Sequence, residues 1–409
     1  LYERWNKMPK SIGTILFGEG GDVIRDARIQ ALVLASGVLI MESAVLSPII
    51  ADLAIQFSVG EARAGLLMLA YTIPLVILVP IMGILSDRYG RKYFLVPGLA
   101  LFGLAGVGIA FVSSFDGILI LRMLQSVGHA ASGPIVIAMI GDFYSGVQET
   151  TAQGIRTAGI NMGIIGIPIL SGILFVFSWR YPFLLYFIAI PVAIWAWYVI
   201  PQTKETSGSS IGDYINELLA LFKKPRMAYL VSTFVVRFLL LFGFLTYISV
   251  LAIGEAGLSV KAAGLLVAVK GVTSLLSSTQ VGRLSNRFST ENIIIGGFSI
   301  GSAGVILMGI VPTSVAIAIG AVLYGFGDGI VSPSQKSLVN QISPDGMRGG
   351  AVSVATTLQN LGKVVGPGMI AVMLLVSNIS IAFTIVGMTG LIGGVGLMIG
   401  FKRSKMNFS

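Results

Sequence analysis

Twelve runs of roughly twenty apolar residues, separated by shorter polar stretches, leave this chain few ways to fold. A run of that length matches one helix crossing about 30 Å of hydrocarbon. Inside lipid, every backbone N–H and C=O must be satisfied within the spanning element, so only helices and closed barrels qualify. Barrel strands would read as segments of about ten residues with alternating polarity, and these runs do not alternate. The expected fold is an all-α, multi-pass integral membrane protein. Composition agrees: charged residues are 11% of the 409 and mean hydropathy is +0.90, whereas soluble domains average about 25% charged.

The spans are expected near residues 29–50, 62–84, 93–113, 117–140, 151–177, 181–200, 228–252, 261–282, 291–310, 313–335, 349–376 and 380–401. They divide the chain into a polar N-terminal segment (1–28), a first six-helix bundle (29–200), a central loop (201–227), a second six-helix bundle (228–401) and a tail (402–409). In the loop, Ile211, Ile215, Leu218, Leu219 and Phe222 recur at helical spacing and predict a short interfacial helix. The N-terminal segment has no secretory pattern, and a start at Leu1 rather than Met is read as a chain whose first residues are missing. With no cysteine, disulfides and thiolate metal sites are excluded.

The net charge of +9 could point to nucleic acid or to a membrane surface, and its placement decides. With the N-terminus inside, 19 Lys and Arg fall on the cytoplasmic side and only Arg63, Arg180 and Lys261 on the other. That bias predicts both termini in the cytoplasm, by the positive-inside rule, and accounts for the charge without nucleic acid. In this count Lys336 and Arg348 belong to the loop between the tenth and eleventh spans.

The second half copies the first at a constant shift of 199 residues. "GILSDR" (83–88) aligns with "GRLSNR" (282–287), Gly128 with Gly327, Pro134 with Pro333, Asn161 with Asn360, Gly163 with Gly362 and Pro168 with Pro367. Apolar matches are cheap in such a chain; Asn, Arg, Pro and Gly matches without a gap are not. Two parallel six-helix repeats are a transporter architecture, with the substrate site near the midplane between the halves.

"GILSDRYGRK" (83–92) packs four charges into positions 87 to 92 between two apolar runs. It resembles the loop signature of the major facilitator superfamily, G-x-L-x-D-R-x-G-R-K, and the resemblance extends over the whole chain. It implies transport by alternating access of a small-molecule substrate, by a monomer with no cofactor. It also implies that Asp87 caps the eleventh helix and pairs with a neighbouring Arg, forming with Gly83, Arg88, Gly90 and Arg91 a latch that holds the halves together in the outward-open state. The second copy carries Asn286 in place of that acid.

Ionisable residues inside spans cost at least about 2.5–3.5 kcal/mol each and are functional candidates by default. The acids are Glu42 and Asp328; the bases are Arg122, Arg156, Arg237, Lys270 and Lys363; the only histidine is His129. Arg122, Gln125 and His129 lie on one helical stripe. "RMLQSVGHAASG" resembles the fourth-helix motif R-x-x-Q-G of drug:proton antiporters, with Ser126 in place of Gly. The fifth-helix "GINMGIIGIPILSG" resembles their G-x-x-x-G-P-x-x-G-G less well, since Ile167 and Ser171 replace glycines. Glu42 occupies the position of a first-helix acid in many proton-driven exporters. The expected proton-coupling set is therefore Glu42, Arg122, His129 and Asp328. His129 and Asp328, equivalent in the repeat, are expected on facing helices. Arg237, Lys270, Lys363, Gln125, Asn161 and Arg156 are expected to line the substrate cavity, with Arg237 contacting Glu42, Asp328 or an anionic group of the substrate.

Three functions fit these residues. Glu42 and Arg122 favour proton-coupled efflux of small, mostly apolar compounds. The five intramembrane bases against two acids favour a carrier of organic anions. A sensor or membrane enzyme on the same scaffold lacks both a signalling domain and a catalytic set. "GFGDG" (325–329) lies inside a span with no G-K-[ST] after it, so helix packing explains it better than phosphate binding. No metal-ligand cluster is visible.

Overall fold

The protein is described here from a computed structural model, in which residues 21–46, 49, 53, 56–59, 66–202 and 211–406 are placed. The first twenty residues, Arg63, Lys204, most of the first outer loop and the last three residues of the tail lie outside the described residues. Among the described residues, eleven helices are long and apolar enough to cross a membrane. We number the spans α1 (Ala27–Ala44), α2 (Leu66–Tyr89), α3 (Lys92–Phe111), α4 (Phe115–Phe143), α5 (Gly146–Phe177), α6 (Tyr181–Val199), α7 (Pro225–Gly254), α8 (Ala262–Thr279), α9 (Thr290–Ile310), α10 (Ser314–Ile342) and α12 (Ile379–Arg403). The twelfth, α11 (Arg348–Met373), is as long as the others but less apolar, because Gln359, Asn360 and Lys363 interrupt it. It can be polar because it packs between α7 and α2 rather than facing lipid alone.

Local chemistry sets the helix ends. Ser114, Ser259, Thr313 and Asn378 each accept a backbone N–H of the helix they precede, satisfying donors that have no intrahelical partner. Asp26 does the same for α1, and its carboxylate also takes bonds from the Arg28 side chain and the Tyr144 hydroxyl. Burial pushes the Asp26 carboxyl up, but the Arg28 and Tyr144 bonds outweigh it and hold the group below the usual carboxylate range. Within α4 the helix breaks after Ala130 and restarts at Gly133 with Pro134 in its first turn, a proline position that needs no N–H donor.

Two bundles result. One apolar core draws on residues from Val23 to Ile200, the other on residues from Leu218 to Phe401 together with Ile137 of α4. The sequence-derived spans stop short at the end where α2, α4 and α10 terminate, which we call the basic end. These helices run to Tyr89, Phe143 and Ile342 rather than to 84, 140 and 335. Hydropathy marks where the lipid stops, not where the helix stops. The correction matters for Lys336, which belongs to α10 and not to a loop.

The central-loop helix spans Ile211–Lys223. It buries Leu218 and Leu221 and exposes Leu219 at 55%, and it contacts α7. Its apolar stripe is thus partly spent on the protein rather than wholly on the bilayer. The side chains of Ile211 and Ile215 lie outside the described residues.

Candidate functional site

At the basic end the two bundles are tied together by polar groups. Asp87, 3% exposed at the foot of α2, accepts the backbone N–H of Gly349 at 2.9 Å and of Gly350 at 2.7 Å. It therefore caps the N-terminus of α11 in the opposite bundle, where no residue of α11's own approach does so. A carboxylate there meets both the orphan donors and the positive end of the helix dipole. Its ion-pair partner is Arg91 (3.0 Å), which also reaches Asp142 at 3.1 Å. Arg88, named for the same set, is in no such pair among the described residues: its guanidinium lies over the Tyr89 ring, and its Nη1 is buried without a hydrogen-bond partner there.

Close approach of the helices depends on two glycines. A Cβ on Gly83 would lie 1.9 Å from Ser353 Oγ and 2.7 Å from the Gly349 carbonyl. Gly90, at φ +94°, makes the turn that places Arg91. Contacts by residues that sequence reasoning did not single out complete the closure. Arg348 donates to the Gly141 carbonyl at 2.6 Å and pairs with Asp142 at 3.2 Å, Asn340 donates to the Ile137 carbonyl at 2.8 Å, and Thr150 and Ser337 hydroxyls meet at 3.0 Å. The repeat copy is different: Asn286 is exposed.

In the first bundle, Arg122 is fully buried. It donates to Gln125 Oε1 at 2.8 Å, to the Glu42 carbonyl at 3.1 Å and to the Leu67 carbonyl at 3.4 Å, and it lies 4.6 Å from the centre of the Tyr71 ring. The Glu42 carboxylate is 3.9 Å from Arg122 Nη2, a loose pair, and its side chain is 23% exposed. The Tyr71 hydroxyl is 2.5 Å from His129 Nδ1. Lys363, from α11, faces the Phe238 and Phe242 rings.

In the second bundle, Asp328 is clasped by Arg237 Nε at 2.7 Å and Lys270 Nζ at 2.6 Å. His129 and Asp328, expected on facing helices, take their side-chain contacts from different neighbours. Each is satisfied within its own bundle, because the repeat that makes them equivalent also gives each its own neighbour on the equivalent preceding helix. Arg237 takes one of its three expected partners. Asn161 reaches across the bundles to Ser274 at 3.3 Å. Arg156, 4% exposed, donates to Gln153 and Ser36 and leaves Nη2 buried without a partner.

Two six-helix bundles tied by polar contacts at one end, with charges buried in and between them, are the architecture of a membrane transporter. The family model for the Major Facilitator Superfamily matches residues 32–367 and 250–405, and the chain belongs to that superfamily, whose members are transporters rather than enzymes. The chain is similar to the bacillibactin exporter of Bacillus subtilis (strain 168), 25% identical over 83% of this chain and 88% of that one. It is also similar to the multi-drug resistance efflux pump PmrA homolog of Lactococcus lactis subsp. lactis (strain IL1403), 28% identical over 73% and 76%. Among solved structures, the human organic anion transporter MFSD10 (TETRAN) superposes with a TM-score of 0.76 at 16% identity, over 91% of this chain and 99% of that one. At that identity the likeness concerns the fold.

Proposed function

We propose that the protein is a proton-driven exporter of a small organic solute, a monomer in the inner or plasma membrane, with its basic end and both termini in the cytoplasm. On this reading the structure is the outward-facing state, closed at the basic end by Asp87, Arg91, Asp142 and Arg348.

The observation that carries the proposal is the loose Glu42–Arg122 pair. At 3.9 Å the two charges are not in hydrogen-bond contact, while Arg122 is held by Gln125 and by two backbone carbonyls. A proton can therefore neutralise Glu42 while Arg122 keeps its hydrogen bonds to Gln125 and the two carbonyls. Asp328 is the poorer carrier, because protonating it would leave Arg237 and Lys270 buried and uncompensated, a loss of about 3–5 kcal/mol. The relatives named as an exporter and an efflux pump support the direction of transport.

The test is uptake by the purified protein in proteoliposomes, across a panel of neutral, cationic and anionic solutes, with and without an imposed pH gradient. Accumulation of a solute only when protons flow the opposite way supports proton antiport. Accumulation that is indifferent to the gradient, or facilitated equilibration alone, overturns it.

A further inference from the structure

Glu149 is an acid buried in the closure of the basic end with no cation paired to it. It belongs to the first turn of α5, ahead of the apolar run that begins at residue 151, and is 2% exposed. The next residue, Thr150, meets Ser337 of α10 at 3.0 Å, so the bundle interface runs past this turn. One helical turn beyond Ser337, toward the basic end, come Asn340 and Gln341. With Arg348 of α11 and Asp142 of α4, they are the polar groups that act on the carboxyl. Their donors already serve other acceptors. Asn340 Nδ2 donates to the Ile137 carbonyl and Gln341 Nε2 to Ser337 Oγ, both at 2.8 Å. Arg348 spends Nε on the Asn340 carbonyl, Nη1 on Gly141 and Asp142, and Nη2 on Asp345. At this end the other charges on elements packed against α5 are Asp22 and Arg25 before α1, the mutually paired Asp26 and Arg28, Lys336 of α10, and Arg283 beyond α8. Among the described residues, none of these bases forms an ion pair with Glu149.

Glu149 Oε1 and Asn340 Oδ1 are both sealed from solvent without a hydrogen-bond partner among the described residues. Both are acceptors. A carboxylate buried in this way is costly, and burial without a cation favours the uncharged acid. A proton also supplies a donor, because a neutral carboxyl carries an O–H. We infer that Glu149 is a proton-operated lock: the bundles close over it only when its carboxyl carries a proton, and opening at the basic end returns that proton to the water it came from.

Opening parts α4 and α5 from α10 and α11, and water then reaches the carboxyl, which ionises as an ordinary glutamate does, near pH ~4.3. At neutral pH the closed state therefore holds one proton more than the open state. Acid favours closure, and each pH unit of acidification raises the closed-to-open ratio by up to about tenfold. The proton enters and leaves on one side, so it drives no transport, unlike a proton carried by Glu42. Where the basic end faces the cytoplasm, an acid cytoplasm holds the carrier shut on that side and restrains further proton entry. That consequence rests on the exporter reading; the lock itself does not.

The experiment uses two cysteines placed in this cysteine-free chain, Tyr89→Cys and Phe288→Cys, at exposed, repeat-equivalent positions on the basic ends of the two bundles. Spin labels there report opening as a distance, read by pulsed electron paramagnetic resonance in detergent from about pH 5.5 to about pH 8.5, above the range of an exposed glutamate. The series is run with Asp87 intact and with Asp87→Asn, which weakens the closure so that both states are populated. The closed fraction should rise as pH falls. Glu149→Gln, permanently uncharged, should be mostly closed at every pH and lose the response. Glu42→Gln should keep the response, which separates the lock from proton coupling; no gradient and no transport are needed. A closed fraction indifferent to pH in both backgrounds, or one that rises with pH, would overturn the proposal. So would an undiminished response or a mostly open state in Glu149→Gln, and so would loss of the response in Glu42→Gln.

Discussion

Lys270 Nζ lies 2.6 Å from Asp328 Oδ2, in the positions that Tyr71 and His129 hold one repeat earlier, where the tyrosine hydroxyl is 2.5 Å from the imidazole. The two bundles share a scaffold and place a hydrogen-bonded pair at the same point on it. One pair is an aromatic hydroxyl with imidazole and the other is ionic. The second bundle adds Arg237 to Asp328, one turn from Leu241, the repeat equivalent of Glu42. The two halves thus share a scaffold while their chemistry at equivalent positions differs.

The ion-pair cluster predicts an asymmetry in stability. Asp328→Asn strands two buried cations and should lower stability by about 3–5 kcal/mol. Lys270→Met leaves the Arg237–Asp328 pair intact and should cost far less. Thermal melting of both variants in detergent checks the order, and an equal loss in both would show that Lys270 and Arg237 are not compensated by the same carboxylate.

Closure at the basic end predicts a conformational phenotype. Asp87→Asn removes the charge from two backbone hydrogen bonds and from the Arg91 pair, each charge-assisted contact being worth about 1.5–3 kcal/mol. The wild-type chain has no cysteine, so Ser337→Cys, buried between the bundles, can report opening by maleimide labelling. Adding Asp87→Asn should speed labelling at least tenfold, and adding Asn286→Ala should change it little.

Gly83 predicts a steric version of the same effect. Gly83→Ala would place a methyl against Ser353 and against the Gly349 backbone, and a backbone carbonyl cannot swing aside as a side chain can. Transport should fall severely while the protein still inserts and melts cooperatively. The labelling reporter should read open, and Ser353→Gly should restore closure only in part.

Helix number, the two bundles and the position of Asp87 were legible in the sequence because lipid imposes run length and because the repeat preserves a motif. The partners of the charges were less so. Hydropathy ended the tenth span at residue 335, one residue before Lys336, and so took a partly buried helix lysine for a loop charge. Arg348 and Asp142 were hidden in the same way, since helices at the basic end outrun the hydrocarbon. The neighbour of His129 was not legible, because repeat symmetry gives equivalence of position, whereas contact depends on which residue each helix brings: Tyr71 to His129, Lys270 to Asp328. Asp328 carried a warning that could have been used: with five bases against two acids inside the spans, an acid there was bound to be claimed by more than one cation.

The most direct measurement of the central claim uses Glu42→Gln in proteoliposomes with a solute that the wild type accumulates. Each proton returned through the carrier supplies about 1.4 kcal/mol per pH unit and about 2.3 kcal/mol per 100 mV. The glutamine cannot carry that proton, yet it preserves the shape of the site and leaves Arg122 bonded to Gln125 and the backbone. Accumulation driven by a pH gradient should be abolished, while solute-for-solute exchange without a gradient persists. Undiminished uphill accumulation by Glu42→Gln would contradict the account.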